Sequence, residues 1–476
     1  MPGTRPSQAH PLCARRQHRL DWRAMESEAT GLPADREPPP RGWKAIFATI
    51  WTGQAFSLMG SQVAQFALVW WLTRTTGSAT VLATATLVAL VPGIVLGPLS
   101  GALVDRWNRR LIMMCADSCA ALVAAWLAYL FWSGSLQVWH VYIVMFVRSI
   151  AGGFHWPAMQ ASTSLLVPKE QLSRVAGLNQ TLFGAMSIAA PPLGALLLEL
   201  LPLHGMMAID VVTATIAVST MAAVHIPQPR RAEPASASPS SVWQDLHEGL
   251  RYVRGWPGMM ALMVLAALIS FLIVPAFSLV PVLVTRHYGG QALELGWINS
   301  AWGIGSLLGG LALSAWGGFR RRIVTSLVGL MGIGAGMLVV GFSPAPGLWL
   351  GLSGMFVAGF MMPIANGPFM AAIQTVVAPG MQGRVFTLLG SASSLMAPLS
   401  LAIAGPVADA FGVQVWYIVG GVASLVIGAG SFMVRPLMGI EDGARGSTPV
   451  SAAQPGEAVP AATPGSRAQP SAPWPV

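Results

Sequence analysis

Arg148 is the residue in this sequence whose placement most demands a chemical reason. It stands about ten residues into an apolar run that begins near Val138. As a helix, that run puts the guanidinium about 15 Å from the membrane surface, close to the bilayer midplane. A charge there costs several kcal/mol unless it is paired or wetted. Gly152 and His155 follow on the same helix face. A role in moving charge or substrate is expected of Arg148, with a structural ion pair as the plain alternative. His155, alone near a helix end, reads as packed and satisfied.

Asp117 is the one acid placed well inside an apolar span of the first half. Three roles are open to it: partner of Arg148, protonatable site with a carboxyl raised by desolvation, or a carboxylate reaching the nearby headgroups. Gln54, Ser57, Ser61 and Gln65 fall within roughly an 80° arc of one helix. Such a stripe faces a polar cavity or bonds to neighbouring helices, and a cavity is the expectation carried forward. A third constellation runs from Gly97 through Gly101, Asp105, Arg106, Arg109 and Arg110 between two apolar runs. Glycines four apart bare one helix face for close approach of a neighbour. Arginines just beyond an apolar run hold that end on the cytoplasmic side.

These residues sit in a chain that is 54% hydrophobic and 9% charged, with a mean hydropathy of +0.60. A soluble domain carries about 25% charged residues, so the composition indicates a polytopic membrane protein. The 476 residues accommodate about a dozen spans of roughly 20 residues each. The net charge of +9 fits arginines facing an anionic membrane surface, and no nucleic-acid-binding motif accompanies it. Cys13, Cys115 and Cys119 form no disulfide framework or metal pattern. Cys115 and Cys119, four apart in an apolar helix, read as small packing residues.

Residues 1–42, rich in Pro and Arg, read as a disordered cytoplasmic tail without a signal-peptide core, and Met25 offers a second candidate start. Six helices are expected at about 45–72, 80–103, 111–132, 138–163, 175–200 and 206–226. They form a first bundle over 43–226. Residues 227–257 read as a cytoplasmic linker, with a capping box at Ser241 and Gln244 opening an amphipathic helix that presents Trp243, Leu246, Leu250 and Val253 on one face. A second bundle over 258–435 carries helices at about 259–284, 296–316, 323–342, 348–373, 385–408 and 415–433, and 436–476 is a disordered cytoplasmic tail. On this map 24 of the 27 Lys and Arg residues fall on one side, two (Arg74, Arg286) on the other and one (Arg148) in a span. That asymmetry places both termini in the cytoplasm.

The halves echo one another. Thr73-Arg74-x-x-Gly77 recurs as Thr285-Arg286-x-x-Gly289 and Arg109-Arg110 as Arg321-Arg322, both 212 residues on; Pro157 and Pro168 recur as Pro368 and Pro379, 211 on. Ala190-Pro191 recurs as Ala397-Pro398. Parallel repeats of this kind put a substrate site near the midplane between the two bundles.

The loop pattern G, x₃, G, x₃, D-R, x₂, R-R over Gly97–Arg110 resembles the signature loop between helices two and three of the major facilitator superfamily. Arg148-x₃-Gly152 resembles the helix-four arginine motif of drug antiporters in that superfamily. Ala190-Pro191-Pro192-Leu193-Gly194-Ala195 resembles their G-P-x-x-G-G motif, with alanine in place of the first and last glycine; its Pro191 and Gly194 can bend the helix where the bundles meet. Segments such as Ile50–Ala55, Leu72–Ala79 and Gly383–Phe386 look like bacterial macrolide-efflux proteins. The resemblance, over about 43–435, implies an all-α fold of twelve transmembrane helices in two six-helix bundles. It also implies proton-driven export of hydrophobic drugs across the bacterial plasma membrane. Asp105, Arg106, Arg109 and Arg110 would then work at the cytoplasmic gate.

ATP-driven transport within this chain is not expected, because GxxxxGK[ST] needs a lysine after glycine, and Lys44 and Lys169 follow Trp43 and Pro168. No nucleophile elbow, HExxH or His/Cys ligand spacing suggests an enzyme, a cofactor or a metal. The expectation is a monomeric drug:proton antiporter with Gln54, Ser61, Gln65, Asn299, Asn366 and Gln374 as polar contacts in an apolar cavity, and Arg148 with Asp117 coupling substrate to proton. An exporter of a siderophore or another endogenous metabolite shares nearly every feature. A non-transporting membrane sensor is the remote alternative.

Overall fold

A computed structural model describes residues 42–224, 250–251, 253–377, 379–439 and 441; the side chains at 98, 102, 105, 169, 379 and 380 lie outside that description. Most of the two expected tails and of the linker, including Ser241, Trp243, Gln244 and Leu246, falls outside it too; the stretch read as a disordered tail from 436 begins instead with a short helix, Arg435–Met438, whose Leu437 is buried against the bundle. Twelve long helices make up the described chain, with no strand among the described residues. They are α1 (Trp43–Thr76), α2 (Ala79–Arg106), α3 (Arg109–Trp132), α4 (Val138–Leu166), α5 (Leu172–Leu200) and α6 (Leu203–Ala223), then α7 (Pro257–Ser278), α8 (Ala292–Trp316), α9 (Arg322–Phe342), α10 (Leu348–Val376), α11 (Pro379–Phe411) and α12 (Gln414–Ser431). Most begin or end within about a turn of the sequence expectation. Helix α7 ends earlier, at Ser278, and the chain continues through the short turns Val280–Val282 and Leu283–His287. Ten of the twelve are long and apolar enough to cross a membrane. The other two, α4 and α8, are diluted by residues such as Arg148 and His155, and Glu294 and Asn299.

The chain signals behind the helix ends are local. Gly77 and Gly289, paired by the 212-residue repeat, both adopt left-handed backbone at φ 60° and 64°, the conformation glycine takes without a Cβ penalty. Ser78 opens α2 by accepting from the Val81 amide at 3.3 Å, and Asn108 opens α3 by accepting from the amides of Arg110 and Leu111.

Helices in a bilayer gain little from hydrophobic contact with each other, so close backbone approach and polar bonds hold them. The second six helices use the first device. A Cβ on Gly359 would collide with the Trp302 carbonyl, one on Gly329 would lie 2.5 Å from the Ala365 amide, and one on Gly336 2.6 Å from the Gly354 carbonyl. Gly359→Ala is therefore expected to push α8 from α10 and lower the apparent melting temperature in detergent, by the equivalent of about 1–3 kcal/mol. Gly430→Ala, with nothing within 4 Å of its Cβ, should leave that temperature unchanged or slightly raised.

Contacts between the first and second six helices gather at one end. There α5 meets α8, where a Cβ on Gly296 would lie 3.1 Å from Pro192 Cα, and α2 meets α11, where one on Gly405 would lie 2.5 Å from Thr80 Cα. Arg74, Arg286 and Asp409 belong to this far end, while Arg106, Arg109, Arg110 and Arg320–Arg322 belong to the opposite, arginine-rich end. Toward the arginine-rich end the contacts lapse: no atom lies within 4 Å of a Cβ built on Gly97, Gly101, Gly177 or Gly383. The expected close approach at Gly97 and Gly101 is absent here, because the halves are parted where those glycines stand.

Candidate functional site

The polar stripe of α1 forms as a stripe but faces the other way from the expectation. Gln54 is 1% exposed, and its Nε2 donates to Asp117 Oδ2 on α3 at 2.9 Å. Ser61 Oγ donates to Asp210 Oδ1 on α6, also at 2.9 Å. Both residues therefore lie inside the first six helices and do not line an open cavity. The reason is electrostatic: buried carboxylates on α3 and α6 need donors, and α1 packs against α6 while the Gln54 side chain reaches across to α3. The open face of α1 carries Thr52, Phe56 and Gln62 instead, and Gln65 is half-buried.

Arg148 also finds a partner other than the one considered. It forms an ion pair with Asp210, which is 1% exposed, and not with Asp117. A helix-six start near Met206, as expected from the sequence, leaves Asp210 only about a turn from the membrane surface, which is why no role is assigned to it there. The helix starts at Leu203, and the Arg148 guanidinium reaches across from α4. One signal was available: an arginine at midplane depth requires an acid of matching depth, and α6 offers Asp210.

Asp117 is 8% exposed and faces Gln54 on one side. On the other, His155 Nε2 lies 3.4 Å from Asp117 Oδ1. That nitrogen is buried and has no hydrogen-bond partner, so His155 is packed but unsatisfied. Two polar tiers result, each joining α1 and α4: Gln54, Asp117 and His155 nearer the arginine-rich end, and Ser61, Asp210 and Arg148 nearer the far end. Seven residues separate Gln54 from Ser61 and Arg148 from His155, a spacing of about 10 Å along a helix.

With the arginine-rich end parted, the described bonds of Arg109 and Arg110 stay within the first six helices. Arg109 Nη1 donates to the Ala161 carbonyl at 3.0 Å, and Arg110 Nε donates to the Met221 carbonyl at 2.8 Å. The Arg110 bond caps the carbonyl end of α6, the Arg109 bond meets α4 about a turn and a half before its end, and together they tie both helices to α3. Arg322 repeats the device on α10, donating to the Ala371 carbonyl at 3.2 Å. Arg106 is exposed, and Asp105 stands in the last turn of α2 with its side chain outside the description. Cys115 and Cys119, expected as packing residues, are exposed. They line an apolar groove of about 660 Å³ between α3 and α4, with Arg106, Leu111, Val147 and Phe154.

The far end holds an unexpected constellation. Asp409, near the end of α11, accepts from the Ser78 hydroxyl at 2.8 Å, the Ala79 and Thr80 amides at 2.9 Å each and the Thr80 hydroxyl at 2.7 Å. Arg286 Nη1 adds a fifth donor at 2.8 Å. A carboxylate from one half thus caps the N-terminus of a helix in the other, where the helix dipole favours negative charge. Pro191 and Gly194 also stand at a junction. The Pro191 carbonyl would lie 3.3 Å from a Cβ on Gly296 of α8, and Gly194 leaves room for the Phe66 ring, 3.0 Å from where its own Cβ would be.

In the second half Asn366 and Gln374 are exposed on α10, as residues facing open space would be. Asn299 is half-buried and donates to the Leu295 carbonyl of its own helix at 2.9 Å.

Comparison with known proteins matches this architecture. The chain is 35% identical over 385 residues to Macrolide efflux protein A of Streptococcus pyogenes, covering 81% of this chain and 95% of that protein. It is 33% identical over 325 residues to Macrolide efflux protein A of Enterococcus faecalis, covering 68% of this chain and all of that protein. Among solved structures, a bacterial homologue of the iron transporter ferroportin in an inward-facing state superposes with a TM-score of 0.60 at 13% identity, covering 81% of this chain and 98% of that one. At that identity the likeness concerns the fold alone. Residues 50–401 match the model of the Major Facilitator Superfamily; the chain belongs to that superfamily.

Proposed function

We propose that this protein exports hydrophobic, macrolide-like drugs across the bacterial plasma membrane by proton antiport, alternating between an opening at the arginine-rich end and one at the far end. The arginine-rich end faces the cytoplasm, as the positive charge beside the spans demands. The drug class rests on the likeness to the two macrolide efflux proteins. The coupling reading rests on one observation: among the described residues, the polar side chains that touch buried Asp117 are the amide of Gln54 and the imidazole of His155, not an arginine or lysine. A buried carboxylate without a fixed cation beside it is costly to hold charged at membrane depth. The open faces of α1 and α10, with Phe56, Gln62, Asn366, Met370 and Gln374, supply an apolar surface with a few amides, the kind of lining that holds large hydrophobic solutes.

The test is expression in a drug-sensitive bacterial host lacking its own exporters, with a panel of macrolides and cationic dyes. Lower macrolide accumulation that reverses when the pH gradient is collapsed is the expected result. An unchanged accumulation and resistance profile across the panel would refute drug export and favour an endogenous metabolite as substrate.

A further inference from the structure

The two polar tiers of the first six helices are copies of one another. Arg148 lies 94 residues after Gln54, His155 lies 94 after Ser61, and Asp210 lies 93 after Asp117. The helices keep the same spacing, with α4, α5 and α6 starting 95, 93 and 94 residues after α1, α2 and α3. Because each unit holds three helices, the second runs through the membrane in the opposite sense, which is the inverted repeat known from transporter halves. Exchanging the units carries α1 into α4 and α3 into α6. It carries the tier of Gln54, Asp117 and His155 onto the tier of Arg148, Asp210 and Ser61. Both acids thus occupy one position of the repeat, and each is held by the first helix of its own unit.

The equivalence isolates what differs. Asp210 has a fixed cation, Arg148, and the hydroxyl of Ser61. Asp117 has the amide of Gln54 and the imidazole of His155, whose buried Nε2 is left without a hydrogen bond 3.4 Å from the acid. Other charged groups on the surrounding helices are engaged elsewhere: Asp210 of α6 holds Arg148 of α4, while Arg109 and Arg110 at the start of α3 bond to carbonyls. Among the described residues, Gln54 of α1 bonds to Asp117 and lies 4.0 Å from the Met221 sulfur of α6. The fold itself does not require acids at these positions. In the second half, 211 or 212 residues later, Asp117 and Asp210 correspond to Gly329 and Gly421, Gln54 and Arg148 to Ala266 and Gly359, and Ser61 and His155 to Ile273 and Asn366.

We infer that Asp117 and His155 together form a one-proton site, and that this proton is the mobile counterpart of the fixed Arg148 charge on Asp210. With one proton, carried on the carboxyl or on the imidazole, the pair is neutral overall, as the Arg148–Asp210 pair is. Without it, a lone negative charge is left in the membrane interior, a state costly enough to last only while the site is open to water. The pair takes up one proton at the far end and releases one at the arginine-rich end; no other bond changes. This rests on the antiport reading and names the holder of its proton.

Three variants of the purified protein test it, with erythromycin as probe. Asp117→Asn and His155→Gln remove one member each, and Gln54→Arg installs on Asp117 the fixed cation that Asp210 already has. The first readout needs no substrate: infrared pH-difference spectra should contain a titrating carboxyl–imidazole signal that all three variants lose and Asp210→Asn keeps. The second uses liposomes: one coupled proton gives up to a tenfold drug accumulation per pH unit, and Gln54→Arg should reduce that dependence to less than twofold while still exchanging drug. A signal lost in Asp210→Asn and kept in Asp117→Asn would overturn the assignment. Wild-type liposomes indifferent to the pH gradient would instead defeat the antiport reading itself, whatever the spectra contain.

Discussion

Arg148→Met is expected to abolish transport and to cost more stability than any other single change in the first six helices. Asp210 is 1% exposed, and its polar contacts among the described residues are Arg148 and the Ser61 hydroxyl. Removing the guanidinium leaves a carboxylate with one neutral donor at membrane depth. Breaking a buried pair by deleting one partner costs about 3–5 kcal/mol, mostly the price of the stranded charge. The double variant Arg148→Met, Asp210→Asn has no charge to strand, and most of the lost stability should return, with the Ser61 bond retained. Transport should stay lost, because α4 no longer has a charged link to α6. Thermal denaturation in detergent and drug accumulation in cells separate the two effects. Equal stability of Arg148→Met and the parent would mean that the pair is not a structural element, and recovery of transport in the double variant would mean that its charge is dispensable to the cycle.

This pair also marks the limit of what the sequence could tell. Helix positions follow from apolar length and from the glycines and polar caps between runs, so twelve helices are legible, with ends such as that of α7 and the start of α11 off by six residues. The arc of Gln54, Ser57, Ser61 and Gln65 was legible as well, since helical periodicity alone fixes which residues share a face. Which neighbour that face meets was not, because periodicity carries no information about the helix across from it. The same gap sent Arg148 toward Asp117 when a three-residue difference in the start of α6 hid Asp210. Gly97 and Gly101 make a related point. Their spacing describes a contact surface, and the parted arginine-rich end leaves that surface bare, so a sequence motif can encode a contact of one conformation and be silent in another. Asp409 had no sequence signal of its own: an acid near the end of a span looks like surface until the N-terminus of α2 is seen beside it.

Asp409→Ala is expected to open the far end. Five donors converge on this carboxylate, four from residues 78–80 at the start of α2 and one from Arg286. Charge-assisted hydrogen bonds contribute about 1.5–3 kcal/mol each when buried. These share one partly exposed acceptor, so a net loss of about 3 kcal/mol is the reasonable figure for all five, equivalent to roughly a hundredfold shift between two conformations. Only the form with its far end closed makes these bonds, and removal therefore favours the form with its far end open. Spin labels at Thr75 and Phe411, both exposed and flanking the contact, report the separation directly. The parent should give one short distance in lipid nanodiscs, and Asp409→Ala a longer population that predominates. Arg286→Ala removes one donor of five and should produce a smaller longer-distance fraction. Transport should fall in Asp409→Ala because the cycle stalls in the open form, while the folded protein stays abundant. An unaltered distance distribution would reduce the cluster to a helix cap that happens to cross between halves. A shifted one would make Asp409 the far-end latch, working opposite the arginine-rich end where Asp105 stands in the last turn of α2.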